Sequence, residues 1–169
     1  ILGPDWLRKD IAGRTVIERL AAALEFVRHE RWDPDSHMVK GAHTADWGDV
    51  DIVDAGRNAV YTDENTHWTV DIYDQSMFYQ AALELAGMLD SLGEKSRAAA
   101  WRAAAAALRE STLAALWQDD RGFFAVHRHL DDLSHGFDES DIFAMGGNTL
   151  AVLSGLAGPI RARRIVETA

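Results

Sequence analysis

The chain has 169 residues, 47% of them hydrophobic and six of them Trp, enough for one domain with a packed core and too apolar for a disordered polypeptide. The formal net charge is −10 and the acidic residues concentrate between Asp33 and Asp74, which disfavours nucleic acid as a partner and suits a neutral polar ligand or a cation. Cysteine is absent, excluding disulfides and thiolate chemistry, and no run approaches the ~18–20 consecutive apolar residues of a membrane span. The start has no basic, apolar, small-residue pattern of a signal peptide, so the cytoplasm is the expected compartment. The opening residue is Ile1 rather than Met, and an upstream part is expected.

The first predicted helix covers residues 14–30. Val16, Ile17, Leu20, Ala23, Leu24 and Val27 form its apolar stripe, with Glu18, Arg19, Glu25 and Arg28 opposite. Trp32-Asp33-Pro34 ends it, because the residue before a proline avoids the helical region. A second helix is predicted over residues 72–91, with Asp71 as N-cap and Gly93 as the residue that stops it. Phe78, Ala82, Leu85, Leu89 and Leu92, broadened by Tyr79, Leu83 and Ala86, make it apolar over much of its circumference, so it is buried from more than one side.

A third helix over residues 94–117 buries Trp101, Ala105, Leu108, Thr112 and Leu116, and so short a turn makes it antiparallel to the second. Asp119-Asp120-Arg121-Gly122 reads as a tight turn into a short extended piece near 123–129. A fourth helix is predicted over residues 142–156, where Gly146-Gly147 weakens the helix or permits close backbone approach. Gly158-Pro159 opens the last one. The pattern is all-α, built of antiparallel helical hairpins; a small bundle also fits it.

Residues 36–69 are too long for a plain connector, and such loops are functional or disordered. This one carries Met38, Trp47, Val50, Ile52, Val53, Tyr61 and Trp68, side chains that need something to pack on. Its sharpest stretch is His43-Thr44-Ala45-Asp46-Trp47-Gly48-Asp49-Val50-Asp51, followed by Asp54. Carboxylates beside an indole suit a sugar site: they protonate a glycosidic oxygen or bind hydroxyls, while the aromatic face packs on the ring's C–H surface. A merely solvated acidic loop has the same composition. Asp46, Asp49, Asp51 and Asp54 could also supply oxygen ligands to calcium, although the EF-hand spacing is missing.

Asn65-Thr66-His67-Trp68 precedes the second helix, so Trp68 and Tyr73 can approach the cavity that Trp47 would line. His127 and His129 read as surface residues of the extended segment, with no zinc motif around them, and no metal or other cofactor is expected. Asp138-Glu139-Ser140-Asp141 reads as capping for the fourth helix. Gly-x-Ser-x-Gly, P-loop and dinucleotide fingerprints are absent.

The order of these motifs resembles the six-hairpin glycosidases. Ala45-Asp46-Trp47-Gly48-Asp49 precedes an aromatic-rich helix ending Leu89-Asp90-Ser91-Leu92-Gly93; then come the alanine-rich helix with Trp101, Leu116-Trp117 and Asp119-Asp120-Arg121-Gly122-Phe123-Phe124. The resemblance covers the chain from about Asp33 onward and is more specific for fold than for substrate. It implies part of an (α/α)6 toroid, with the helix from Ile72 inner and the helix from Glu94 outer. Such a ring has twelve helices and about five are legible, so residues 1–169 would be a single-domain fragment of a larger catalytic domain. The rest of the toroid would come from missing sequence or another chain.

The resemblance also implies a glycoside hydrolase acting by inversion on a carbohydrate. Asp46 or Asp49 would be the general acid, and a base carboxylate would lie outside this segment. Trp47 would be a sugar platform, with His43, Trp68, Tyr73 and Asp51 as further substrate-binding residues. A glycoside phosphorylase shares a comparable Asp-Trp-x-Asp pattern. A sugar epimerase on such a barrel would use cavity-facing His, with His43 and His67 nearest, and a non-catalytic carbohydrate-binding helical module is the remaining alternative.

Overall fold

The structure is a computed structural model that describes residues 3–42, 66–132 and 138–169. In chain order its elements are α1 (Pro4–Leu7), β1 (Asp10–Ile11), β2 (Arg14–Thr15), α2 (Val16–Glu30), β3 (Trp32–Asp33), β4 (Met38–Val39), β5 (Gly41–Ala42), β6 (Trp68–Asp71), α3 (Ile72–Ser91), α4 (Lys95–Leu116), β7 (Trp117–Gln118), β8 (Phe123–Phe124), β9 (His127–His129), a 3-10 turn (Glu139–Asp141), α5 (Met145–Leu153) and α6 (Gly158–Thr168). The all-α expectation therefore becomes a mostly helical fold carrying four small sheets among the described residues. None of the helices found among them is long and apolar enough to cross a membrane.

Local chemistry sets the helix ends. Thr15 and Glu18 form a reciprocal capping box at the start of α2, each satisfying the other's backbone N–H. α3 has the predicted bounds, and Asp71 caps it by accepting from the Asp74 N–H at 2.7 Å. At its other end Gly93 takes φ 83°, a left-handed turn that lets Glu94 N–H reach Leu89 O at 2.9 Å. The α3–α4 pair is the antiparallel hairpin expected from that turn. Ala82 and Ala86 on α3, and Ala98 and Ala105 on α4, are fully buried and let the two helices approach closely.

α3 is wedged between two apolar clusters. One joins Leu7, Val16, Ile17, Met38, Phe78, Leu85, Leu89, Trp101 and Leu108 across α1, α2, α3 and α4. Its aromatic spine runs Trp32–Phe78–Trp101, with ring centroids 6.3 and 6.4 Å apart. The other gathers Ile72, Leu116, Phe124, Ala151, Leu156 and Ile165 under α5 and α6. Burial on two sides explains why α3 is apolar nearly all round.

Two buried side-chain amides join helices to strand backbone. Gln75 of α3 accepts from Val39 N–H at 2.9 Å and donates to Val39 O at 2.7 Å. Asn148 of α5 accepts from Phe124 N–H at 2.9 Å and donates to Phe124 O at 3.1 Å. The fourth helix starts at Met145, three residues later than expected, because residues 139–141 form the separate 3-10 turn. Gly147 answers the question its sequence raised: a Cβ there would lie 2.4 Å from Ile72 Cγ2 and 3.2 Å from Tyr73 N, so the glycine permits α5 to pack on the start of α3.

The stretch from 36 to 69 is not one irregular loop. Its flanks are strands: β4 pairs with β3, and β5 pairs antiparallel with β6, Ala42 opposite Trp68. Residues 43–65, which fall between β5 and β6 in the sequence, lie outside the described residues.

Removing either device should be costly. Gln75→Ala leaves the buried Val39 N–H and C=O without their partners, for an expected loss on the order of 2–4 kcal/mol. Gly147→Ala overpacks the α3–α5 contact and should cost about 1–3 kcal/mol. Urea unfolding of the intact protein reads both. Changes within about 0.5 kcal/mol, as at neutral surface sites, would contradict this account of the contacts.

Candidate functional site

The three-stranded sheet has the order β5-β6-β9, with both pairings antiparallel. In the β6–β9 ladder Thr69 faces His129, Val70 faces Arg128 and Asp71 faces His127; Leu130 N–H continues it to Trp68 O at 2.8 Å. Side chains alternate across a strand, so one face of this ladder collects Asp71, Thr69, His127 and His129. His67 and Asp131 extend the same row, joined from His67 Nδ1 to Asp131 Oδ2 at 2.7 Å.

Glu139 of the 3-10 turn sits on this face. Its Oε1 lies 2.8 Å from His127 Nε2 and its Oε2 lies 3.0 Å from His129 Nε2. The three side chains are 1%, 14% and 11% exposed for His127, His129 and Glu139. The surface placement expected for the two histidines is thus corrected: both are enclosed, since β9 pairs with β6 and the 3-10 turn covers it. Glu139 is not a helix cap either. Capping in that segment falls to Asp138, which accepts from Ser140 N–H at 2.9 Å and caps the 3-10 turn rather than α5. Asp141 pairs with Arg121.

Asp71 is fully buried and forms the corner between β6 and α3. Asp74 stands one turn along, half-buried. Burial pushes its carboxyl above the usual aspartate range, and a hydrogen bond with the Asp71 side chain pulls it part of the way back. The start of α3 thus carries two neighbouring carboxyls, one of them biased towards the protonated form.

The sequence-predicted site residues divide into two groups. His43, Asp46, Trp47, Asp49 and Asp51 lie outside the described residues, as does Asp54 of the calcium alternative. Trp68 is on β6, half-buried, with the Arg31 guanidinium and the Lys40 ammonium each 5.1 Å from its ring centroid. Tyr73 is on the first turn of α3, its ring edge against Gly146 of α5. The sequence alone does not group Asp71, Asp74, His127, His129 and Glu139. Alternation within His67-Trp68-Thr69-Val70-Asp71 and within His127-Arg128-His129-Leu130-Asp131 was the available signal, and only strand pairing turns it into one polar face.

The bias on Asp74 gives stability a pH dependence. The folded state holds the Asp74 proton to higher pH than the unfolded chain does, so this group's contribution falls as pH rises through the window from the ordinary aspartate range up to its raised value. Unfolding measured against pH for wild type and Asp74→Asn should show the wild type losing stability relative to the variant through that window, then a constant offset above it. A difference that grows in the opposite direction would contradict the burial of this carboxyl.

No curated protein matches the chain. Residues 32–154 match the family described as the mannosylglycerate hydrolase MGH1-like glycoside hydrolase domain. That span begins at β3, takes in the stretch between β5 and β6, the polar face and the α3–α4 hairpin, and ends just past α5. The chain belongs to this family of glycoside hydrolase domains, within the six-hairpin glycosidase superfamily.

Proposed function

We propose that this chain is part of the catalytic domain of an inverting glycoside hydrolase whose general acid is Asp46 or Asp49. The observation that carries the reading is the position of the loop's two feet. Ala42 and Trp68 are paired neighbours on β5 and β6, and β6 runs directly into α3. The stretch holding Asp46-Trp47-Gly48-Asp49 thus lies in sequence between two paired strands, and the second of them leads into the helix that carries Tyr73. In this reading Trp47 is the sugar platform, and His43, Asp51, Trp68 and Tyr73 complete the substrate contacts.

The chemistry needs two carboxyls. The acid gives its proton to the glycosidic oxygen as the bond from the anomeric carbon to that oxygen breaks. A carboxylate outside this segment takes a proton from water, whose oxygen bonds to the anomeric carbon from the opposite face. Inversion needs the pair about 6.5–9.5 Å apart to admit that water. The family's description points to mannosylglycerate as the first substrate to try.

We further propose that the domain is one portion of an (α/α)6 toroid, α3 inner and α4 outer. Supporting this, Met145, Leu153, Ile160 and Val166 are exposed on α5 and α6. A groove of about 170 Å³ between these helices is lined by Phe143, Val152 and Ile165 among others. A further helical hairpin would cover such a surface.

Turnover of mannosylglycerate and a panel of α-glycosides by the complete protein tests the assignment. Asp46→Asn or Asp49→Asn should lower kcat by about 100-fold or more, the scale of a lost general acid, and full activity in both variants would sink it. Turnover that requires inorganic phosphate would instead identify a phosphorylase.

A further inference from the structure

We propose that His127, His129 and Glu139 form a binding site for a divalent transition-metal cation, Zn²⁺ by the chemistry of its ligands, that clasps β9 to the 3-10 turn ahead of α5. Among the described residues these three each offer one ligand atom, all within 4.8 Å of one another. Two imidazoles and a carboxylate are a ligand set that suits zinc; calcium and magnesium take oxygen ligands alone.

The geometry gathers the three side chains on one face of the ladder. The two histidines are two apart on β9, so their side chains leave the same face of the strand. Their rings are tilted at 73° with centroids 4.9 Å apart, and each turns its Nε2 towards a different oxygen of the Glu139 carboxylate. In a tetrahedral zinc site with bonds of about 2.0–2.1 Å the ligand atoms lie roughly 3.3 Å apart. The nitrogen–oxygen separations of 2.8 and 3.0 Å fall just below this and no pair exceeds 4.8 Å, so a cation enters as the three side chains draw in around it. Each Nε2 then gives its lone pair to the metal while the ring's single proton resides on Nδ1. Glu139 supplies one oxygen, and water completes the fourth position.

These side chains are almost closed to solvent, and a cation held there replaces two hydrogen bonds with metal–ligand bonds. The clasp would join residues 127–129 to residue 139 and, through the β6–β9 ladder, stiffen the sheet that anchors the loop. It is independent of the glycosidase reading, because none of the three residues is assigned a role in bond cleavage.

The test uses the intact protein, stripped of metal by a chelator and dialysed. Calorimetric titration with Zn²⁺ should show one cation per chain, with a higher Tm when saturated, and Co²⁺ in its place should give the visible absorption of a tetrahedral site. His129→Gln and Glu139→Gln, checked for folding by circular dichroism, should weaken Zn²⁺ binding by about 100-fold or more, beyond what loss of a supporting group costs. His29→Gln, at an exposed position on α2, should bind as the wild type does. Nitrogen-15 resonances of both imidazoles in the wild type should move at Nε2 on adding Zn²⁺, a readout that needs no variant. Unmoved imidazole resonances, or undiminished Zn²⁺ uptake by the folded variants, would overturn the proposal.

Discussion

A helix that begins inside a protein must find partners for N–H groups that its own turns cannot satisfy. In this chain α3 begins at the meeting point of two apolar clusters, and its first turn is satisfied from several directions. Ile72 N–H donates to Val126 O at 3.0 Å, and Asp74 N–H donates to the Asp71 carboxylate. Gln75 reaches sideways to both backbone groups of Val39. These bonds fix β4, β6 and the approach to β9 around one helix end. Gly147 then lets α5 close over Ile72 from the other side. An unpaired polar group there would cost about 1–3 kcal/mol, so each partner holds the others in register.

That constraint also orders the polar face. Because β6 runs without interruption into α3, Trp68 is held at a fixed point relative to the hairpin core. Because β9 pairs with β6, the alternating histidines and carboxylates of both strands share one face. The family match spans this whole unit, so the glycoside hydrolase domain and the polar junction belong to the same part of the sequence.

Much of the helical frame was legible in the residues alone. The bounds of α3, its Asp71 cap and the Gly93 stop follow from local rules, and the antiparallel α3–α4 pair follows from the turn between them. What was not legible depends on partners distant in sequence. Spacing places His127 and His129 on one side of a strand, but their burial comes from β6 and from Glu139, ten or more residues away. Glu139 resembled a cap because acidic residues before a helix usually are caps; the 3-10 turn gives it another direction. The short strands flanking residues 43–65 were missed because two-residue pairings leave almost no periodic signal. The loop motif itself lies outside the described residues, and its catalytic reading rests on family membership and on where its feet stand.

The central claim is that the loop and the start of α3 form one sugar site. Its most direct test is an experimental structure of the complete protein, as the Asp49→Asn variant, holding an intact glycoside. The account predicts a sugar ring against Trp47, its scissile oxygen within hydrogen-bond reach of residue 46 or 49, with Trp68 and Tyr73 touching the same sugar. A sugar bound with Trp47 and those two positions facing away from it would contradict the account.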